Sequence, residues 1–178
     1  RSGGNYRGTP KGGNSGGGKQ SPSVQKFTLQ AEGRMQATFS NILERIAIYI
    51  QLTFDDGQTA ADSIANMVLE VIERPRLQPP TPGADAATTA TETFENQIEF
   101  KADMDLHALM KQQLRSNMSK AYALIYSTYC DNEMKSRIDK KVVLDPSITN
   151  DPIKLLVTIR TLMQEPVKEE NAMWSLLQ

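Results

Sequence analysis

The sequence contains one cysteine and one histidine in 178 residues. A single cysteine, Cys130, excludes an internal disulfide framework and suits a reducing, cytoplasmic compartment. One histidine and one cysteine cannot furnish the ligands of a zinc site, and no cysteine–histidine zinc knuckle is present. Long apolar runs are also missing. No stretch reaches membrane-spanning length, and there is no signal peptide, so no membrane partner is expected. No glycine-rich phosphate loop stands between a strand and a helix. The chain is therefore expected not to be an enzyme, and to use no cofactor, metal or small-molecule substrate.

Proline and glycine are absent from Thr91 to Cys130. Over this stretch Phe94, Ile98, Leu106, Leu109, Met110, Leu114, Met118, Ala121, Tyr122, Ile125 and Tyr129 recur mostly every three or four residues, which is a helical period. Such a helix spans roughly 55–60 Å, with a break expected near Asn117–Ser119, whose side chains favour helix ends. From Leu106 the stripe advances by fours and drifts around the helix, so it does not keep a coiled-coil seam. Thr91–Lys111 is charged and expected to be exposed. Ala121–Tyr129 is apolar or aromatic nearly all round and is expected to lie in the core.

The rest of the chain divides by composition. Residues 1–24 hold eight of the eleven glycines and the cations Arg1, Arg7, Lys11 and Lys19, with no acid. Removing that charge of +4 from the net −1 leaves −5 on the remainder. This segment is expected to be a disordered basic tail. Arg1, Tyr6, Arg7, Lys11 and Lys19 are candidate contacts for single-stranded RNA, with cations on phosphate and the ring stacked on a base. The plainer reading is a solubilising linker.

Residues 25–74 read as an N-terminal helical hairpin. Val24–Leu29 alternates weakly, as a short extended arm does. A helix from about Met35 to Thr53 shows Phe39, Ile42, Leu43, Ile46, Ala47 and Ile50 on one face. Asp55–Asp56–Gly57 stops it. Thr59 is the expected cap of a second helix, Ala60 to about Glu73, with Asp62 in capping-box position and Ile64, Met67, Val68, Val71 and Ile72 as its stripe. Residues 75–90 form a Pro-rich linker or loop. The long helix is then expected to start at Thr91 or Glu92, with Glu92 and Glu95 at its positive end.

Residues 91–178 carry the long helix and those that follow. A helix opens at Asp131 or Asn132 and runs to about Lys141, with Met134, Ile138 and Val142 inward. Val143–Ile148 is a loop. Asn150–Asp151–Pro152 is a polar cap with proline in the first turn, and starts a helix to Gln164. Pro166 ends it, and a last helix begins at Lys168. The first residue is not Met and Ala172–Leu177 is apolar, so the chain is expected to be a piece of a larger one. The fold class is all-α: five to six helices around one long central helix.

Candidate chemistry is sparse. Asp103 lies one turn before His107, which permits a His–Asp contact, but no nucleophile accompanies them and a boundary histidine is the plainer reading. Cys130 reads as a small buried hydrophobe. Glu95, Glu99, Asp103 and Asp105 read as a solvated helix face, since a metal bundle needs matching ligands on facing helices.

Three segments in order carry a family resemblance. Leu124-Ile125-Tyr126-Ser127-Thr128-Tyr129-Cys130 is followed by Asp131-Asn132-Glu133-Met134-Lys135-Ser136-Arg137-Ile138, and then by Asn150-Asp151-Pro152-Ile153-Lys154-Leu155-Leu156. Together with the hairpin, the Pro-rich spacer and the charged long helix, these resemble the capsid-like amino-terminal region of Copia-type retrotransposon Gag polyproteins, over about residues 27–165. Here one extra residue precedes the cysteine, and Tyr126 stands where a tryptophan is usual. The resemblance implies a structural protein that self-associates into oligomers or particles and packages its element RNA. It transfers no catalytic residue, only packing roles at Leu124, Ile125, Tyr126, Cys130, Met134 and Ile138. The alternative is a non-enzymatic RNA-binding or adaptor protein acting through its basic Gly-rich tail.

Overall fold

A computed structural model of the chain describes residues 24–29 and 35–164. The basic tail, apart from Val24, and the expected last helix lie outside them. The described residues form an all-α fold of five helices. These are α1 (Met35–Thr53), α2 (Gln58–Asn66), α3 (Ala86–Leu124), α4 (Asn132–Leu144) and α5 (Pro152–Gln164). A π turn, Ile125–Tyr129, prolongs α3, and a 3-10 turn, Pro146–Ile148, precedes α5.

α1 has the expected limits and buries Phe39, Ile42, Leu43, Ile46, Ala47 and Ile50, one stripe at helical spacing. Its end runs into the turn Phe54–Gly57, and α2 packs against it. The turn is held from outside. Gln113 Nε2 and Asn117 Nδ2 of α3 both donate to the Asp55 carbonyl, at 2.9 and 2.8 Å. Asn117 is fully buried. The break expected at Asn117–Ser119 is absent, because the Asn117 side chain serves this turn and leaves the helical backbone alone.

α2 departs from expectation at both ends. Thr59 is not its cap: Gly57 holds the N-cap position, without a side-chain hydrogen bond. Asp62 accepts from Gln58 Nε2 at 2.8 Å and forms no capping box. The helix stops at Asn66, not Glu73. Met67 turns left-handed (φ 52°), and the amides of Met67 and Val68 bond back to Ile64 and Ser63. This closes the helix as a Schellman-like cap. Buried Ser63 then accepts from the Glu70 amide at 3.0 Å and fixes the exit. Val68 and Val71 are consequently exposed, despite their helical spacing.

α3 begins at Ala86, five residues before Thr91. Pro82–Gly83 makes a turn with Gly83 at φ 86°, the proline-then-glycine order of a type II turn. Asp85 then caps the helix through the Thr88 amide at 2.9 Å. That amide and the Thr88 hydroxyl hold the Asp85 carboxyl below its ordinary value. α4 starts as expected, with Asp131 accepting from the Met134 amide at 2.7 Å. It runs on to Leu144, so the expected loop at Val143–Ile148 shrinks to the Asp145 junction and the 3-10 turn. Asp151 accepts from the amides of Ile153 and Lys154, both at 3.0 Å, and opens α5.

The hub of the packing is α5. It touches α1, α2, α3 and α4 and buries Pro152, Leu155, Leu156, Ile159, Leu162 and Met163. The long helix buries only Asn117, Met118 and Ala121, so it enters the core by one end. The arm at Val24–Leu29 closes that core. Phe27 is fully buried and packs on Phe39, with ring centroids 5.4 Å apart.

Buried Gly57 leaves no room for a side chain. An added Cβ would overlap the Ile50 carbonyl oxygen and lie 3.0 Å from the Phe54 carbonyl oxygen. Both obstacles are backbone. Gly57→Ala is expected to destabilise the fold by about 2–3 kcal/mol, read as a lower denaturant midpoint at unchanged m-value.

Candidate functional site

Three features of α3 and its surroundings stand out. The first is the joint where the helix enters the core. The π turn ends at Cys130, whose backbone is extended. Here the Tyr129 carbonyl accepts from the Phe27 amide at 2.7 Å, and Phe27 and Cys130 form an isolated parallel bridge. The expected packing residues gather at this joint. Ile125, Cys130, Met134 and Ile138 are fully buried, while Leu124 and Tyr126 are partly buried against the same core. Tyr126 stacks on Tyr122, with centroids 6.3 Å apart, and donates to Asp139 at 2.8 Å. Lys135 Nζ lies 5.7 Å from the Tyr126 ring centroid and donates to the Ser127 carbonyl at 3.0 Å. The Asp139 bond, followed by desolvation, raises the Tyr126 phenol to about 12.

The second feature is a groove beside α3. Residues 68–81 run along the first half of the helix in the opposite direction. Ile72 meets His107, Gln78 meets Asn96 and Thr81 meets Glu92. His107 Nε2 donates to the Ile72 carbonyl at 3.3 Å, so the ring engages backbone in place of Asp103. Glu92 accepts from the Thr81 amide at 2.7 Å and so ties down the Pro-rich segment. A concavity of about 790 Å³ lies between this segment, α3 and the start of α5, with Leu114 and Met118 inside and Lys111 and Arg115 beside them. Glu70 and Asp151 are its carboxylates, and Asp151 already accepts the α5 amides. Among the described residues no group of three or more His, Cys, Asp or Glu side chains is placed to hold a metal.

The third feature is exposure. No residue of α3 before Asn117 is buried. Phe94, Ile98, Leu106, Leu109 and Met110 are between 44% and 65% exposed. The expected exposure of Thr91–Lys111 is found, and these apolar residues share it. Sequence reasoning missed the anchoring role of Asn117, whose signal was a polar side chain at a stripe position between Leu114 and Ala121. The RNA-contact candidates Arg1, Tyr6, Arg7, Lys11 and Lys19 lie outside the described residues. So does the apolar Ala172–Leu177 run. No described helix is long and apolar enough to cross a membrane.

No protein-family model matches the chain, and neither curated proteins nor solved structures yield a match.

Burial raises the Cys130 thiol from its ordinary 9.0 to about 12. The thiol stays protonated in the folded state near neutral pH and is a poor nucleophile there. Above pH 9 the unfolded chain releases this proton while the folded chain keeps it. The contribution is therefore intact below pH 9 and is lost as pH rises towards 12, at about 1.4 kcal/mol per pH unit. Denaturant unfolding between about pH 8 and pH 10.5 should show this decline, and Cys130→Ala should flatten it.

Proposed function

We propose that the chain is a structural protein, a Gag-like capsid domain of a Copia-type element that self-associates in the cytoplasm and helps package element RNA. The observation that carries this reading is the exposed apolar row on the first half of α3, from Phe94 to Met110. Large apolar side chains left exposed along one helix suit an interaction face. The segments that resemble the Gag family, Leu124–Ile138 and Asn150–Leu156, supply the supporting half of the argument. They hold α3 to the hub, so the exposed half is presented on a fixed base. In this reading weak contacts repeat from copy to copy and gain strength through multivalency. Arg1, Tyr6, Arg7, Lys11 and Lys19 hold the RNA, by charge and stacking, with salt-sensitive affinity.

Size-exclusion chromatography with light scattering should show mass rising with protein concentration from the micromolar to the millimolar range. A strictly monomeric mass across that series contradicts the proposal.

A further inference from the structure

The outward face of α3 has an internal symmetry that names its partner. At helical spacing Phe94, Ile98, Lys101, Asp105 and Leu109 fall within an arc of roughly 80°. Phe94, Ile98 and Leu109 are 65%, 55% and 60% exposed, and Lys101 and Asp105 are exposed as well. The opposite arc faces inward: Asn96 and His107 bond to the segment beside the helix, and Leu114 and Met118 pack on the core. The outward arc is therefore free along about four turns. Neither Lys101 nor Asp105 forms an ion pair among the described residues.

Charge along α3 is also segregated. From Ala86 to Asp105 it carries Glu92, Glu95, Glu99, Asp103 and Asp105 against Lys101 alone. From Leu106 to Tyr129 it carries Lys111, Arg115 and Lys120 and no acid. A parallel neighbour of the same sequence would set like charge against like. An antiparallel one sets the acidic half against the basic half.

We propose that two copies of this chain pair through the outward faces of α3, antiparallel, about a two-fold axis at the level of Asp103. This is a specific form of the self-association proposed above and rests on it. In this register Lys101 of each copy meets Asp105 of the other, twice over by symmetry. Ile98 meets Ala108 and Leu109, and Phe94 lies over Gln112. Apolar contacts flank a central pair of reciprocal ion pairs. The ion pairs set direction and register, and the apolar residues supply the burial. Helix axes about 8–10 Å apart, as packed helices adopt, bring these side chains into contact.

The test uses the full chain in four forms: wild type, Lys101→Glu, Asp105→Lys, and the double variant carrying both. All substitutions sit on an exposed helix face and use good helix formers, so circular dichroism should match wild type. Each single variant places like charges opposite each other at both equivalent positions. Its dimer should dissociate at a concentration at least about tenfold higher than wild type in analytical ultracentrifugation. The double variant exchanges the partners and should return close to the wild-type value. Mixing the two single variants should produce a heterodimer. The glutamate introduced in one copy then meets the lysine introduced in the other, and the native Lys101 and Asp105 meet at the symmetry-related position. If wild type associates and the single variants associate equally well, the α3 pairing is overturned while self-association stands. If the single variants are weakened but neither the double variant nor the mixture recovers, the antiparallel register is overturned. A wild type that stays monomeric overturns both.

Discussion

The Phe27 amide donates to the Tyr129 carbonyl at 2.7 Å, and the core's order depends on that closure. A helix end leaves carbonyls without helical partners, and burying them unpaired is costly. Here the helix runs through a π turn, the backbone straightens at Cys130, and the extended arm supplies the missing donor. The same contact inserts Phe27 beside Phe39, so one short segment satisfies a backbone group and fills the space at α1. Complete burial of an aromatic side chain here is worth about 2–3 kcal/mol. Around this point α4 adds Met134 and Ile138 from one side and α5 adds its buried stripe.

The joint also explains the division of α3. Behind Asn117 the helix is committed to the core, and ahead of it the helix is held by the partial packing of Leu114 and by backbone-directed bonds. Asn117 and Gln113 grip the Asp55 carbonyl, and His107, Asn96 and Glu92 each fasten one point of the neighbouring extended segment. These bonds position the helix while consuming little apolar surface. Its outward row is left exposed, and the proposed antiparallel copy matches the charge order along it.

Much of the fold was legible where local chemistry and burial agree. α1 has a clean stripe, and Asn150–Asp151–Pro152 announces α5 with a capping carboxylate that the structure places on two amides. The alternation at Val24–Leu29 marked an arm whose Phe27 reaches the core. Legibility failed where tertiary contacts override pattern. Val68 and Val71 continue the helical spacing of α2, yet the helix ends at Met67 in a left-handed conformation that methionine does not advertise. The start of α3 was hidden because Asp85 caps it directly behind a Pro-Gly turn, so the threonines that open the helix looked like more spacer. The hub role of α5 was not visible either, because which helix touches all others is a matter of topology and not of any one segment's pattern. The packing residues of the joint were readable as apolar spacing. The exposure of the first half of α3, with Phe94, Ile98 and Leu109 on it, was readable from its density of charge.

The central claim is that α3 is one helix with two fates, a core half fixed within each copy and an outward half covered only by association. Amide hydrogen exchange at low and high protein concentration tests this most directly. The Phe27 amide and those of Met118–Tyr129 and Met134–Ile138 should be strongly protected at both concentrations. Amides from Phe94 to Gln112 should exchange faster at low concentration and gain protection as concentration rises. Equal protection of both halves at low concentration, or no gain from Phe94 to Gln112 at high concentration, would contradict the account.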